Sequence, residues 1–233
     1  MLHRGYLLHL RPFRENSAIV NLLVDGAGRV DAIARLGGGK RSSRALLQPF
    51  QPLLFTLSGK GELRTLNQPE AYAPAIPLQG DSLYAGMYLN ELLMRSLSHS
   101  HGGDGLFYTY HQTLMTLAAG FEQRVLRYFE LELLKDLGIC PPLESDVTGN
   151  TIEPDICYLL KAQGGFIPSL APNATPGRVL LSLANQSLAD EDFQSAKKLL
   201  RQLLAPVIGD KPLVSRALFA GRSGRDVPAG KGA

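Results

Sequence analysis

Hydrophobic and polar residues alternate along the first part of the chain, in short runs separated by glycine turns. In one run, residues 29–36, Val30, Ala32 and Ala34 take every second position. Alternation of this kind predicts half-buried β-strands. A series of short strands with glycine turns about every ten residues favours a small barrel of the OB type over βαβ units. The predicted strands are 5–13, 17–25, 29–36, 49–59 and 62–70.

The pattern becomes helical after Pro77, and helices are predicted over 82–99, 105–120, 122–138 and 189–209. The last of these carries acidic residues in its first turn and is expected to run to Pro206. The fold class is therefore expected to be α+β, with an N-terminal OB-fold β-barrel followed by an α-helical C-terminal domain. The predicted division is a barrel domain over 1–78, a helical domain over 79–220 with an irregular insert at about 139–176, and a disordered tail over 221–233.

Charge is distributed unevenly along the chain, although the formal net charge is only +3. Residues 1–79 contain 10 Lys and Arg against 5 Asp and Glu, and residues 193–233 contain 8 against 2. Residues 80–192 contain 6 basic and 14 acidic residues. Two basic ends around an acidic middle suggest that the ends bind a polyanion. An ordinary solvated surface is the alternative.

A glycine-rich basic stretch, ARLGGGKRSSRALLQPF at 34–50, raises the question of a nucleotide site. A P-loop needs Gly-x4-Gly-Lys-[Ser/Thr], because the first glycine helps to wrap the phosphates and the hydroxyl binds magnesium. Ala34 stands in place of that glycine, and Arg41 follows Lys40 in place of the hydroxyl residue. An NTP-dependent enzyme is therefore not supported. Two interpretations remain: a mobile basic loop that contacts nucleic-acid phosphates, or a solvated hairpin without a ligand.

Basic residues also cluster at other turns of the predicted barrel and on the last long helix. Phe13, Phe50 and Phe55 are candidates for base stacking, with burial in the core as the alternative. Because cations outnumber aromatic residues, we expect binding that is independent of base sequence and sensitive to salt. The predicted DNA-binding residues are Arg11, Arg14, Arg35, Lys40, Arg41, Arg44, Lys60, Arg64, Lys197, Lys198 and Arg201.

No set of residues forms a convincing catalytic or metal-binding motif. His99, His101 and His111 have no cysteine or acidic cluster beside them, and Cys140 and Cys157 belong to no Cys-x2-Cys pair. We therefore predict no enzymatic activity, no metal and no cofactor. The N-terminus lacks a signal-peptide pattern, and no apolar run reaches the ~18–20 residues that span a bilayer. A cytoplasmic, nucleoid-associated protein without membrane contact is expected.

Five segments, in order from about residue 5 to residue 219, carry a family resemblance. They are RPFRENSAIVNLLVDGAGRV, KRSSRALLQPFQPLLFTLSGKGELRTLNQPEA, LYAGMYLNELLMRSL, RYFELELLKDLG and GDKPLVSRALF. As a series they resemble the RecO family of bacterial recombination mediators, and most of all its proteobacterial branch. The resemblance implies an N-terminal OB-fold, a helical C-terminal domain and a non-catalytic role in recombinational repair. It also implies binding of single- and double-stranded DNA, annealing of complementary strands, and loading of a recombinase together with RecR onto strands coated with single-strand-binding protein.

The resemblance has two further implications for the helical domain. Many members carry a four-cysteine zinc site, but the corresponding segment here, 143–172, contains only Cys157, so we predict no zinc. Members also bind the acidic, hydrophobic-ended C-terminal tail of single-strand-binding protein, which needs cations beside an apolar groove. The alternative is that Arg124 and Arg127 pair with Glu122 and Glu130 in their own helix. The candidate residues for the tail are Arg124, Arg127, Leu126 and Phe129.

A function of a different class remains open from the sequence. The acidic helical middle could make the chain a protein–protein adaptor that does not bind DNA, with basic ends that serve only solubility. DNA affinity at low salt distinguishes this adaptor from a DNA-binding mediator.

Overall fold

The computed structural model describes residues 1–37, 43–98, 104–162 and 164–220. The chain forms two compact units. The first contains the described residues of Met1–Phe121 and Asp210–Ala233, and the second is formed by Glu122–Gly209. The predicted domain boundary at residue 78 lies inside the first unit, between its strands and its helices, and the division into domains stays a prediction. The predicted disordered tail, 221–233, lies outside the described residues.

The strands of the first unit form a closed five-stranded barrel in the order β1-β2-β3-β5-β4. Neighbouring strands are antiparallel except β3 and β5, which run parallel. This arrangement confirms the expected N-terminal OB-fold barrel, and the predicted strand boundaries differ from those of the structure by up to about four residues at each end. The strands are β1 (Leu2–Pro12), β2 (Ser17–Val24), β3 (Gly28–Arg35), β4 (Leu53–Ser58) and β5 (Leu63–Ala71).

The interior of the barrel follows from the alternation in the sequence. Ala32 and Ala34 of β3 are buried, as are Val20 and Leu22 of β2, and all four belong to one hydrophobic cluster inside the barrel. β2 differs from β3 because every residue from Ala18 to Val24 is buried. Both faces of β2 are therefore shielded from water, and the second face needs cover from outside the barrel.

Helices follow the barrel, which confirms the α+β class. The helices are α1 (Gly80–Ser96), α2 (Asp104–Ala119), α3 (Gln123–Asp136), α4 (Gly177–Ala184), α5 (Phe193–Ile208) and α6 (Val214–Ala220). α1, α2 and α6 belong to the first unit, and α3, α4 and α5 to the second. No helix among the described residues is long and apolar enough to cross a bilayer.

Side chains of the barrel fasten the helices of the first unit. Arg29 of β3 donates hydrogen bonds to the carbonyls of Met94 (2.9 Å) and Leu97 (3.1 Å) at the C-terminal end of α1. These carbonyls have no partner within the helix, so the guanidinium acts as their cap. Tyr6 of β1 packs edge-on against Tyr110 of α2, with 5.2 Å between the ring centroids. α1 and α2 thus cover the outside of the barrel.

The second unit departs from the expectation in its first half. The segment 139–176 was expected to be irregular, but it contains a three-stranded antiparallel sheet in the order β7-β6-β8. Its strands, β6 (Cys157–Leu160), β7 (Phe166–Pro168) and β8 (Thr175–Pro176), are too short to show a period of two. The eight-residue helix α4 was not predicted either, although Val179, Leu180 and Leu183 are buried with helical spacing. α5 runs past Pro206 and ends before Gly209, whose φ of 68° stops it.

Candidate nucleic-acid interface

One end of the barrel gathers basic residues from three segments. β1 and β2 pair so that Pro12 lies opposite Ala18, and β2 and β3 pair so that Ser17 lies opposite Arg35. The turn between β1 and β2 therefore lies beside the end of β3. A cleft lined by Arg14, Leu36 and Arg44 places Arg44 there as well. We call this end the barrel rim; its basic residues are Arg11, Arg14, Arg35 and Arg44.

All four arginines of the barrel rim are exposed. Arg11 and Arg35 form no ion pair with any other described residue. The guanidinium of Arg14 lies 5.1 Å from the centre of the Phe13 ring, and its backbone φ is 56°, in the left-handed region that arginine rarely adopts. These cations face water, where an approaching polyanion can reach them.

Lys40 and Arg41 of the glycine-rich basic stretch lie outside the described residues. His99 and His101 do so as well. The DNA contacts predicted for Lys40 and Arg41 stay predictions from the sequence.

The turn between β4 and β5 forms a second basic group, apart from the barrel rim. β5 runs parallel to β3, and its first residue, Leu63, lies opposite Asp31. Asp31 is four residues, or about 13 Å, before Arg35 along β3, so the turn that precedes Leu63 lies at a distance from the barrel rim. Arg64 is half-buried and donates a hydrogen bond to the Gly59 carbonyl, so it fastens its own turn. Lys60 is the exposed cation of the pair.

A third basic group lies on α5 in the second unit. Lys198 and Arg201 are exposed, and the ammonium of Lys197 lies 5.8 Å from the centre of the Phe193 ring. The DNA contacts of these three residues stay predictions from the sequence.

The three candidate stacking residues take different positions. Phe50 and Phe55 are buried in the first unit, so the core alternative is right for both. Phe13 is partly exposed and carries the guanidinium of Arg14 on its ring. Of the three rings, Phe13 alone is accessible for stacking on a base.

The residues predicted to bind the tail of single-strand-binding protein lie on α3. Arg127 is 5% exposed and forms a 2.5 Å ion pair with Glu130, which is fully buried. Arg124 is exposed and pairs with Asp190 at 2.9 Å and with Glu122 at 3.3 Å. The ion-pair alternative thus describes the contacts of both arginines. Leu126 and Phe129 are buried, so Arg124 is the one of the four at the surface, and tail binding here stays a prediction.

The segment that carries zinc ligands in many relatives does not offer a zinc donor set here. Within this segment the carboxylate of Asp146 accepts hydrogen bonds from Thr148 N (2.8 Å), Thr148 Oγ1 (2.7 Å) and Asn150 N (3.0 Å). No group of three or more His, Cys, Asp or Glu side chains suited to a metal occurs among the described residues. The residues present do not fit zinc, which needs four N or S donors in a structural site.

His111, considered above as a metal ligand, has a partner inside the first unit. Its Nδ1 lies 2.6 Å from the Tyr6 hydroxyl. Burial raises the pKa of Tyr6 to about 12, so the hydroxyl stays protonated at neutral pH and can donate to the imidazole. The pair fastens β1 to α2 and accounts for this histidine without a metal.

Comparison with known proteins agrees with the barrel-and-helix arrangement. Residues 1–75 match the family model described as "Recombination protein O N terminal", and residues 77–217 match the one described as "Recombination protein O C terminal". The chain belongs to the RecO family of DNA repair proteins. It is 40% identical over 223 residues to the DNA repair proteins RecO of Yersinia pestis strain Pestoides F and Yersinia enterocolitica. These residues cover 93% of this chain and 92% of each relative.

Proposed function

We propose that the chain is a DNA-binding recombination mediator of recombinational repair that acts without catalysis. It binds single- and double-stranded DNA and anneals complementary strands. Together with RecR, it assists recombinase loading on strands coated with single-strand-binding protein. The observation that carries the proposal is the barrel rim, where four exposed arginines from three segments converge.

The chemistry of the rim suits the nucleic-acid backbone better than base edges. Guanidinium groups pair with phosphate oxygens in two-point geometry, and each contact releases a counterion from DNA. OB-folds use the loops at the ends of their strands to bind oligonucleotides, and the barrel rim includes the β1–β2 loop. Binding through this surface requires no particular base sequence, which suits a protein that must act at any break.

The double variant Arg11→Gln/Arg35→Gln tests the rim. We expect weaker binding of labelled oligo(dT) and of a labelled duplex. The slope of log K against log [salt] should fall by about 0.7 per lost contact on the single strand and about 0.9 on the duplex. Both side chains are exposed, so the melting temperature should stay nearly unchanged. Strand annealing is measured on the same proteins.

The matched control is Lys161→Gln/Lys211→Gln, which removes the same charge from two exposed lysines that are not among the basic residues of the barrel rim. An equal loss of DNA affinity in both double variants would mean that net charge alone attracts DNA, and would remove the rim from the interface. No DNA affinity in the unmodified protein at low salt would favour the adaptor instead. The basic loop is tested separately by Lys40→Ala/Arg41→Ala/Arg44→Ala, which should flatten the salt dependence further.

The partner part of the proposal rests on family membership and on Arg124. A peptide with the acidic, hydrophobic-ended sequence of a single-strand-binding protein tail should bind the chain, and Arg124→Ala should weaken that binding. Lys135→Ala is the control, because Lys135 lies on the same helix and pairs with Glu132 in a similar exposed position. Equal effects of the two variants would remove Arg124 from the tail site.

A further inference from the structure

A cleft of about 960 Å³ opens in the first unit beside the barrel rim. Residues of β1, of the segment 44–49, of α1 and of α6 line it. Its floor consists of buried leucines, among them Leu8, Leu36 and Leu47. A concave site of this size with an apolar floor is typical of a binding site.

The edge of the cleft also exposes apolar surface to water. Met87 of α1 is 43% exposed, and Val214 and Leu218 of α6 are 75% and 38% exposed. All three line the cleft. Contiguous apolar surface of this kind on a soluble protein marks a site of protein interaction.

The charges around the cleft are mostly positive. Arg14 and Arg44 stand on the barrel side, and Arg95, on the helix side, donates a hydrogen bond to the Lys211 carbonyl at 2.8 Å. Of the two lining carboxylates, Glu91 already accepts hydrogen bonds from Val214 N, Ser215 N and Ser215 Oγ at 2.5–2.8 Å. Glu15 is the other. An occupant with carboxylates at its edges therefore complements the arginines better than a basic or neutral one.

The lining argues against a DNA base as the occupant. Among the described residues that line the cleft there is no phenylalanine, tyrosine or tryptophan, and the imidazole of His9 is the single aromatic ring, so a base finds little to stack on. Leucines and the thioethers of Met87 and Met94 are present instead. Unbranched, polarisable methionines adapt to varied aliphatic partners, as in grooves that bind amphipathic helices.

We propose that this cleft is the docking site of a short amphipathic segment of a partner protein, aliphatic on the side that enters the cleft and acidic at its edges. Because the cleft includes Arg14 and Arg44 of the barrel rim, the docked segment competes with DNA for these two arginines. The competition rests on the function proposed above, whereas the docking does not. By linkage, the factor by which the segment weakens DNA binding equals the factor by which DNA weakens binding of the segment.

The probe is a fluorescein-labelled synthetic helical peptide with leucines along one face and glutamates on both flanks. A peptide with lysines in place of the glutamates tests the charge, and one with serines in place of the leucines tests the apolar contact. We expect binding of the first peptide and at least about tenfold weaker binding of the other two. Equal binding of the glutamate and lysine peptides would overturn the stated chemistry.

Met87→Gln tests the place of docking, and Met115→Gln is its matched control. Met115 is 48% exposed on α2 of the same unit but does not line the cleft. We expect Met87→Gln to weaken peptide binding about five- to tenfold, because it removes an apolar contact, and Met115→Gln to leave it unchanged. Equal effects of the two variants would show non-specific adhesion and overturn the docking site.

The competition is tested with Arg14→Gln and Arg11→Gln. Arg14→Gln should weaken both peptide and DNA binding, whereas Arg11→Gln, at the rim but outside the cleft lining, should weaken DNA binding alone. Saturating peptide should lower the DNA affinity of the unmodified protein by the same factor by which saturating DNA lowers its affinity for the peptide. A peptide that binds through Met87 without changing DNA affinity overturns the competition. If neither Arg14→Gln nor Arg11→Gln changes DNA affinity, the DNA-binding function proposed above is contradicted, whereas the docking of the peptide is not.

Discussion

The arginines of the barrel rim and the arginine at the centre of α3 lie in opposite surroundings. Arg11 and Arg35 are exposed at the end of a strand, without an ion pair among the described residues. Arg127 is buried and lies 2.5 Å from the carboxylate of Glu130. A charge removed from water costs several kcal/mol unless it is paired, so Arg127 is tied to its carboxylate. The rim arginines keep their hydration and can exchange it for phosphate.

Breaking the buried pair should have the largest effect. Arg127→Ala leaves Glu130 charged in the interior, and we expect a loss of about 3–5 kcal/mol in the free energy of unfolding, measured with urea. The control Arg127→Met/Glu130→Leu removes both charges and should lose far less. A double variant as unstable as Arg127→Ala would show that the packing of the two side chains, and not the charge, sets the cost.

The same comparison can be made within the first unit, between Arg29 and Arg11. Arg29 is mostly buried, pairs with Asp31 at 3.2 Å and caps the C-terminal end of α1. Arg29→Ala should cost about 1.5–3 kcal/mol, because hydrogen bonds from a charged donor are lost. Arg11→Ala should stay within about 0.5 kcal/mol of the unmodified protein. Denaturation monitored by circular dichroism measures both, and equal losses would erase the distinction between structural and binding arginines.

The sequence predicted the structure well where a regular pattern of apolar and polar residues extends over many positions. Alternation placed Ala32 and Ala34 inside the barrel. The sequence could not separate Arg127 from Arg11, because burial depends on residues distant in the chain. Phe193, whose ring lies 5.9 Å from the Arg127 guanidinium, is one of them. The cleft was invisible for the same reason, since Leu8, Met87 and Leu218 come from three separate elements.

Short secondary-structure elements were the second kind of feature that the sequence did not predict. Strands of two to four residues, such as β6 and β8, have no measurable period, and their sheet depends on contacts that composition does not reveal. One of these is the Tyr158 hydroxyl, which accepts a hydrogen bond from Glu153 N at 2.9 Å. The Gly, Asn and Pro of 139–176 mark turns correctly but do not show which residues pair between them.

Glu91 of α1 is an acidic counterpart of the structural arginines, because its carboxylate accepts hydrogen bonds from Val214 and Ser215 at the start of α6. Partial burial alone would raise the pKa of Glu91, but hydrogen bonds from Ser215 and Val214 outweigh it and the pKa is lowered from 4.5. A lowered folded-state pKa adds stability above the unfolded value, and this stability is lost as the pH falls through the folded value. We expect Glu91→Gln to cost about 1 kcal/mol at neutral pH, as loss of a helix cap does.

The pH dependence separates this role from simple packing. The difference in stability between the unmodified protein and Glu91→Gln should shrink as the pH falls well below 4.5, where Glu91 is protonated as well. Urea denaturation at several pH values measures it. A difference that stays constant with pH would mean that the glutamine disturbs the contact of α1 with α6 without any contribution from charge.

The smallest effect is expected at Asp146, a partly exposed carboxylate whose hydrogen bonds are to residues of its own turn. Hydrogen bonds from Thr148 first, and from Asn150, lower its pKa, so the turn they form is charged at neutral pH. Asp146→Ala should expose the amides of Thr148 and Asn150 to hydrogen exchange while the global melting temperature hardly moves. Asp146→Asn keeps an acceptor oxygen and should keep most of the protection. Asp146 is more accessible to water than the buried Arg127. A global loss as large as that of Arg127→Ala would therefore show that exposure does not separate local from structural charges in this protein.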